Sequence, residues 1–218
     1  MTHTHTLADP RVETALRRMF AQAEQDGDVA DRAGWGSGWA SMSPQEQADA
    51  AARIYMPVSA SGGDLLYSLV RAVRPATVVE FGMSYGISTL YLAAAVRDNG
   101  TGRVVTTELS KEKIAAAHRT FAETGLDDLI TVLEGDARES LGGLDAPADF
   151  VLLDGWKDLC LPVLRLLEPR LAPGTLVVAD DVTFESMRPY LDHVRDPASG
   201  YRSVSFPVED GMEISCRL

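Results

Sequence analysis

Cysteine is scarce in this chain: Cys160 and Cys216 are the two in 218 residues. That is too few for a disulfide framework, and their separation is not that of metal ligands. They read as inert core thiols of a protein from a reducing compartment. Long apolar runs are also missing. None reaches the roughly 18 residues a membrane span needs, and Met1 to Thr6 is polar and unlike a secretory leader. A cytoplasmic protein is expected. Positive charge is in deficit, with 20 Lys and Arg against 32 Asp and Glu and a formal net charge of -12. Such a field repels phosphate backbones and anionic lipid, so the expected partner is a small molecule, with neither nucleic acid nor membrane. Arg11, Arg17 and Arg18 form the densest basic group, but acidic neighbours in a helical pattern make them a solvated face. Hydrophobic residues, 45% of the chain, are spread along it as in one folded domain.

What is present is a periodic pattern. Val12, Ala15, Leu16, Met19 and Phe20 recur at helical spacing from Pro10 to about Gln25. A loop from Gly34 to Met42 leads to Ser43-Pro44, an N-cap followed by proline at the first helical position. Residues 1–62 thus read as a helical lid segment, and 63–218 as the core of a single domain. In the core a helix near Gly63 to Val73 precedes strands at Thr77 to Phe81, Arg103 to Thr107, Leu129 to Leu133, Asp149 to Leu153 and Thr175 to Ala179, with helices between them. Short β-branched runs alternating with helices predict a parallel sheet covered on both faces. Tyr201 to Phe206 and Met212 to Cys216 have no room for a helix between them and predict an antiparallel hairpin. The fold class is therefore α/β, a mostly parallel seven-stranded sheet closed by a hairpin. That is the Rossmann-like methyltransferase architecture, whereas nicotinamide-binding folds usually close with another parallel strand.

The first strand runs into Glu80-Phe81-Gly82-Met83-Ser84-Tyr85-Gly86. Gly82 permits a tight turn, Gly86 close packing, and the following helix offers free N–H groups. A dinucleotide fingerprint requires glycine where Ser84 stands. Glu80 and Gly82 suit a zwitterionic amino-acid ligand better, the carboxylate near its ammonium and Ser88 with the helix N-terminus at its carboxylate. Glu108 ends the second strand, placed to accept two ribose hydroxyls. Asp136, beside Ala137, either receives an adenine amino group or caps the short helix that follows.

Asp154, Asp180 and Asp181 lie at the ends of the fourth and fifth strands, which border the ligand crevice of an open parallel sheet. Clustered carboxylates repel unless a cation or protons intervene, and all-oxygen ligation suits Mg²⁺. The run Leu153-Asp154-Gly155-Trp156-Lys157-Asp158, with Leu161-Pro162, Gly174-Thr175, Ala179-Asp180-Asp181-Val182 and Asp210-Gly211-Met212-Glu213, resembles the catechol O-methyltransferase family from about Met56 onward. The resemblance implies an S-adenosylmethionine- and magnesium-dependent O-methyltransferase acting on a catechol-like or other vicinal-oxygen acceptor, and suggests pairing into a dimer. Met56 and Val58 would contact the cofactor from above, with Glu80, Gly82, Ser84 and Ser88 at its methionine half and Glu108 at the ribose. Asp136, Ala137, Asp154 and Trp156 would complete its surroundings. Asp154, Asp180 and Asp181 would hold the metal, and Lys157 would be the general base, its pKa lowered by the cation and by desolvation.

The chain departs from that family in four places. Asp181 stands for the usual asparagine, Val204 for a glutamate that contacts the second hydroxyl, Ile54 for an aromatic gatekeeper and Glu185 for a proline. Tyr55, Phe184, Trp35 and Trp39 offer another aromatic wall. His3, His5, His118 and His193 lack ligand spacing. The competing functions are methyl transfer to carbon or nitrogen, a nicotinamide-dependent oxidoreductase, and a non-catalytic nucleoside-binding module.

Overall fold

A computed structural model of the chain describes residues 5–33 and 38–218; Trp35 and His3 lie outside them. Residues 5–33 and 38–59 contribute α1 (Pro10–Ala23), α2 (Asp26–Ala33) and α3 (Pro44–Ala50). The core follows as α4 (Ala60–Val73), β1 (Thr77–Phe81), α5 (Ile87–Asn99), β2 (Arg103–Glu108), α6 (Lys111–Thr124) and β3 (Ile130–Glu134). It continues through α7 (Ala137–Ser140), β4 (Ala148–Leu153), α8 (Cys160–Leu167), β5 (Leu171–Ala179), α9 (Arg188–Arg195), β6 (Tyr201–Phe206) and β7 (Met212–Arg217).

Local chemistry sets the ends of these elements. Ser43 caps α3 in a full capping box with Glu46, and Ser59 starts α4 at Ala60 by accepting the Gly62 N–H, earlier than the spacing near Gly63 predicts. The helix α2 was not foreseen; its first turn carries Asp26 and Asp28, where acids favour the helix dipole. Strand β5 is longer than predicted because Ala148 pairs with Leu171 before a register shift brings Phe150 opposite Leu176.

The seven strands follow the order β3-β2-β1-β4-β5-β7-β6. Strands β1 to β5 run parallel, and β7 inserts antiparallel between β5 and the edge strand β6. The predicted hairpin is therefore present. Each face of the sheet buries its own apolar cluster, one with α1, α4, α5 and α6, the other with α8 and α9. All five side chains of β1 are buried, as expected of a central strand covered on both faces. Among the described residues no helix is long and apolar enough to cross a membrane.

Beyond β1 the backbone bends over the end of β4. Gly82 has φ +96°, and a Cβ there would lie 2.5 Å from the Gly155 nitrogen and 2.7 Å from the Asp154 carbonyl carbon. Neither backbone can yield. Gly82→Ala is expected to lower stability by about 2 kcal/mol, measured by chemical denaturation; a change within about 0.5 kcal/mol would show that the turn has slack.

Candidate active site

The strand order reverses between β1 and β4, and at the carboxyl ends of these strands a cavity of about 780 Å³ opens. Its floor comes from the core: the turn after β1, Glu108, Asp136 and the strand-end aspartates. Its roof comes from residues before α4, including Trp39, Gln47, Tyr55, Met56 and Val58.

The roof is tied down by polar contacts. Asp26 accepts the N–H groups of Tyr55 and Met56, each at 2.8 Å, and so fixes Met56 in a left-handed conformation with φ +45°. Tyr55 stacks on Tyr85 with ring centroids 4.0 Å apart, and the Tyr85 hydroxyl donates to the Ala52 carbonyl at 2.8 Å. Ser84, itself at φ +50°, donates its hydroxyl to the Tyr55 carbonyl at 2.6 Å. Met56, Val58, Gly82 and Ser84 all line the cavity, where the sequence puts them.

Glu80 and Ser88 are arranged differently from expectation. The Glu80 carboxylate is fully buried and accepts from Ser88 Oγ at 2.7 Å, Thr89 Oγ1 at 2.6 Å and Thr106 Oγ1 at 2.5 Å. It lies beneath the floor instead of lining the cavity. A carboxylate out of reach of water needs donors, and three hydroxyls supply them from within the fold. Burial outweighs these bonds and pushes its pKa up to about 7. Ser88 lines the cavity, but its hydrogen goes to Glu80, which corrects the expectation that it donates to a ligand carboxylate.

Glu108 faces the cavity as expected. Its oxygens accept the N–H groups of Ser84, Leu109 and Ser110 at 2.8 to 2.9 Å, which orient it while leaving acceptor capacity for a diol. For Asp136 the capping alternative is observed. It caps α7 by accepting the Arg138 N–H at 2.9 Å, and it borders the cavity with Ala137. The Arg138 guanidinium holds its pKa below the ordinary value.

At the other end Asp154, Asp180, Asp181, Trp156 and Lys157 meet in the same cavity. Asp181 has φ +56°, a region that aspartate tolerates, and the next residues pair with the hairpin loop through Val182 N–H to Gly211 O and Thr183 N–H to Asp210 O. The Lys157 ammonium stands 2.8 Å from Asp154 and 2.9 Å from Asp181. Burial alone would lower its pKa, but the two carboxylates prevail and raise it. The depressed value expected beside a cation is therefore not a property of lysine and carboxylates alone. Asp154 is raised, by burial first. Among the described residues no cation contacts Asp180, and burial with Asp154 and Asp181 beside it pushes its pKa up to about 8.

The donor chemistry fits a hard divalent cation: three carboxylates, all oxygen, with more negative charge than one ammonium neutralises. The present arrangement is not that of a metal centre. Among the described residues no group of three or more His, Cys, Asp or Glu side chains is disposed to hold an ion. Lys157 lies between Asp154 and Asp181, and Asp180 turns one oxygen to the Asp181 N–H at 2.9 Å. The three aspartates thus share one end of the crevice, as the sequence predicts, with Asp154 and Asp181 bridged by the lysine and Asp180 adjacent.

Trp156 and Trp39 meet edge to face at 5.2 Å, and the Trp156 indole donates to the Pro44 carbonyl at 3.3 Å. With Tyr55 and Phe184 they supply aromatic wall. Val204 is 61% exposed on the edge strand and does not reach the cavity; Glu209 and Asp210 of the hairpin loop do. Sequence reasoning missed these two, and it missed Asp26 and Lys113, the latter a cavity-lining residue. Nothing local in the sequence distinguishes Lys113 from a solvated lysine at a helix start.

A methyltransferase-domain family model matches residues 79–182, the segment holding the turn, Glu108 and the aspartates. The solved O-methyltransferase TomG from Streptomyces achromogenes, in complex with S-adenosylmethionine, has a similar fold: TM-score 0.68 at 24% identity, over 81% of this chain and 90% of that one. Fold and matched segment are those of a methyltransferase domain. Catechol O-methyltransferase B of Danio rerio is 31% identical over 178 residues, 75% of this chain and 66% of its own length. Catechol O-methyltransferase of Sus scrofa is 31% identical over 147 residues, 64% of this chain and 78% of its own. The chain belongs to the catechol O-methyltransferase-like family of class I S-adenosylmethionine-dependent O-methyltransferases.

Proposed function

We propose that the chain transfers the methyl group of S-adenosylmethionine to a hydroxyl of a small catechol-like or other vicinal-oxygen acceptor, with a divalent cation such as Mg²⁺ at Asp154, Asp180 and Asp181. The observation that carries the reading is the Lys157 ammonium held between Asp154 and Asp181 inside the cavity that the glycine turn lines. A proton-transfer group and hard oxygen donors therefore share one end of the cofactor crevice. When bound, the cation supplies neutralisation of the carboxylates and acidification of an acceptor hydroxyl.

The chain's residues do the rest. Trp156, fixed by Trp39 and Pro44, flanks the acceptor and excludes water from it. Met56 and Val58 hold the cofactor from above, so that the acceptor oxygen meets the sulfonium methyl group in line. Nζ of Lys157 takes the hydroxyl proton. It does so only when Asp154 and Asp181 have another counter-charge, because in their company it keeps its proton. Metal dependence of the activity is the expected consequence. The acceptor is a small molecule, in keeping with the acidic composition, and the two free thiols agree with a cytoplasmic enzyme.

Calorimetry with S-adenosylhomocysteine, followed by Mg²⁺ and catechol, tests the reading on wild type and Asp154→Ala. Wild type is expected to bind catechol in the presence of Mg²⁺, and Asp154→Ala to lose that step. Cofactor binding without any metal-dependent acceptor binding would leave the methyltransferase and sink this mechanism.

A further inference from the structure

We infer that Lys113 is the anion receptor of the cofactor pocket, its ammonium pairing with the carboxylate of the methionine half of the bound cofactor. The inference rests on the S-adenosylmethionine reading of the cavity.

Lys113 stands in the first turn of α6 and is 3% exposed, yet it lines the cavity. Its Nζ donates to Ser84 Oγ at 3.0 Å and sits 5.7 Å from the centre of the Tyr85 ring. Ser84 has given its own hydrogen to Tyr55, so it can only accept, and this aims the ammonium. An ammonium has three hydrogens to donate, and Ser84 takes one. No carboxylate among the described residues lies within ion-pair distance of Lys113. A buried, unpaired ammonium is costly. Burial draws its pKa down to about 8, against the more distant pull of Glu108 and Asp26.

The remaining partner must come from the cavity. Of the described residues that line it, Lys157 is the other cation, and Asp154 and Asp181 already occupy it. Ser88 donates to Glu80. The cofactor carries one anionic group, its α-carboxylate, and Lys113 is the cation left to meet it. The sulfonium and the ammonium of the same ligand then face a cavity otherwise rich in carboxylates.

The test is calorimetry at pH 7 with S-adenosylhomocysteine and with its decarboxylated analogue, on wild type, Lys113→Met and Lys113→Gln. Glutamine keeps a donor for Ser84 without the charge and serves should the methionine variant fail to fold. Wild type is expected to bind S-adenosylhomocysteine at least about tenfold tighter than the analogue. The variants are expected to lose that margin, weakening about tenfold toward S-adenosylhomocysteine and hardly at all toward the analogue. Equal weakening toward both ligands would mean that Lys113 merely braces Ser84 and would overturn the inference. So would a wild type that binds both ligands equally. A wild type that binds neither overturns the cofactor reading itself and this inference with it.

Discussion

Lys157→Arg is expected to keep its fold and its affinity for S-adenosylhomocysteine while losing at least about a hundredfold in kcat. A guanidinium preserves the charge between Asp154 and Asp181, but it does not release a proton in the accessible pH range. The variant therefore separates electrostatic support from proton transfer. Lys157→Met removes both. It leaves Asp154 and the partly exposed Asp181 without a counter-charge and should also lose about 1 to 2 kcal/mol of stability, which Mg²⁺ restores if the aspartates take the cation. Single-turnover rates and denaturation curves with and without Mg²⁺ measure the two effects. An arginine variant with wild-type kcat would remove Lys157 from the chemistry and leave it a structural ion-pair partner.

Between about pH 4.5 and 8 the fold is expected to lose stability as the pH rises, a direction opposite to that set by salt-bridged carboxylates. Glu80 has its pKa pushed up to about 7 from 4.5 and Asp180 up to about 8 from 3.8. Over this window the folded chain holds protons that the unfolded chain has released, so stability falls with pH. The contribution is complete below the unfolded pKa values and is lost as the pH passes through the folded ones. For Glu80 the loss is on the order of 3 kcal/mol. Glu80→Gln should flatten the slope while keeping the side chain's shape. Thermal melts at pH 5 and pH 8 decide it, since an unchanged difference between wild type and variant would show that Glu80 does not titrate in this range.

The strands were legible because most are short apolar runs rich in β-branched residues, and β1, with Thr77, Val78 and Val79, is buried on both sides as such a run requires. The hairpin was legible because nothing between Phe206 and Met212 could form a crossover. The same local logic located the glycine turn and the strand-end acids. Angles and partners between distant segments were not legible. That Lys157 is gripped by two carboxylates instead of freed near a cation depends on how Asp181 turns at φ +56°. That Lys113 is buried depends on α6 packing beside the turn at Ser84, and its acidic neighbour Glu112 gives no hint of it. The reach of the hairpin loop depends on the register of β6 with β7, which places Val204 opposite Ile214 and sends Glu209 and Asp210 to the cavity in its place.

The floor of the cavity is built from the ends of strands, and its roof from residues before α4. Strand ends are locked by the registers of their neighbours, so a change there disturbs the sheet. The roof is joined to the floor through a few side chains, chiefly Ser84, Tyr85 and Trp156. On the proposed reading, substitutions confined to the roof residues that do not touch the cofactor are expected to alter which acceptor fits while leaving the sheet and the methyl-donor pocket intact.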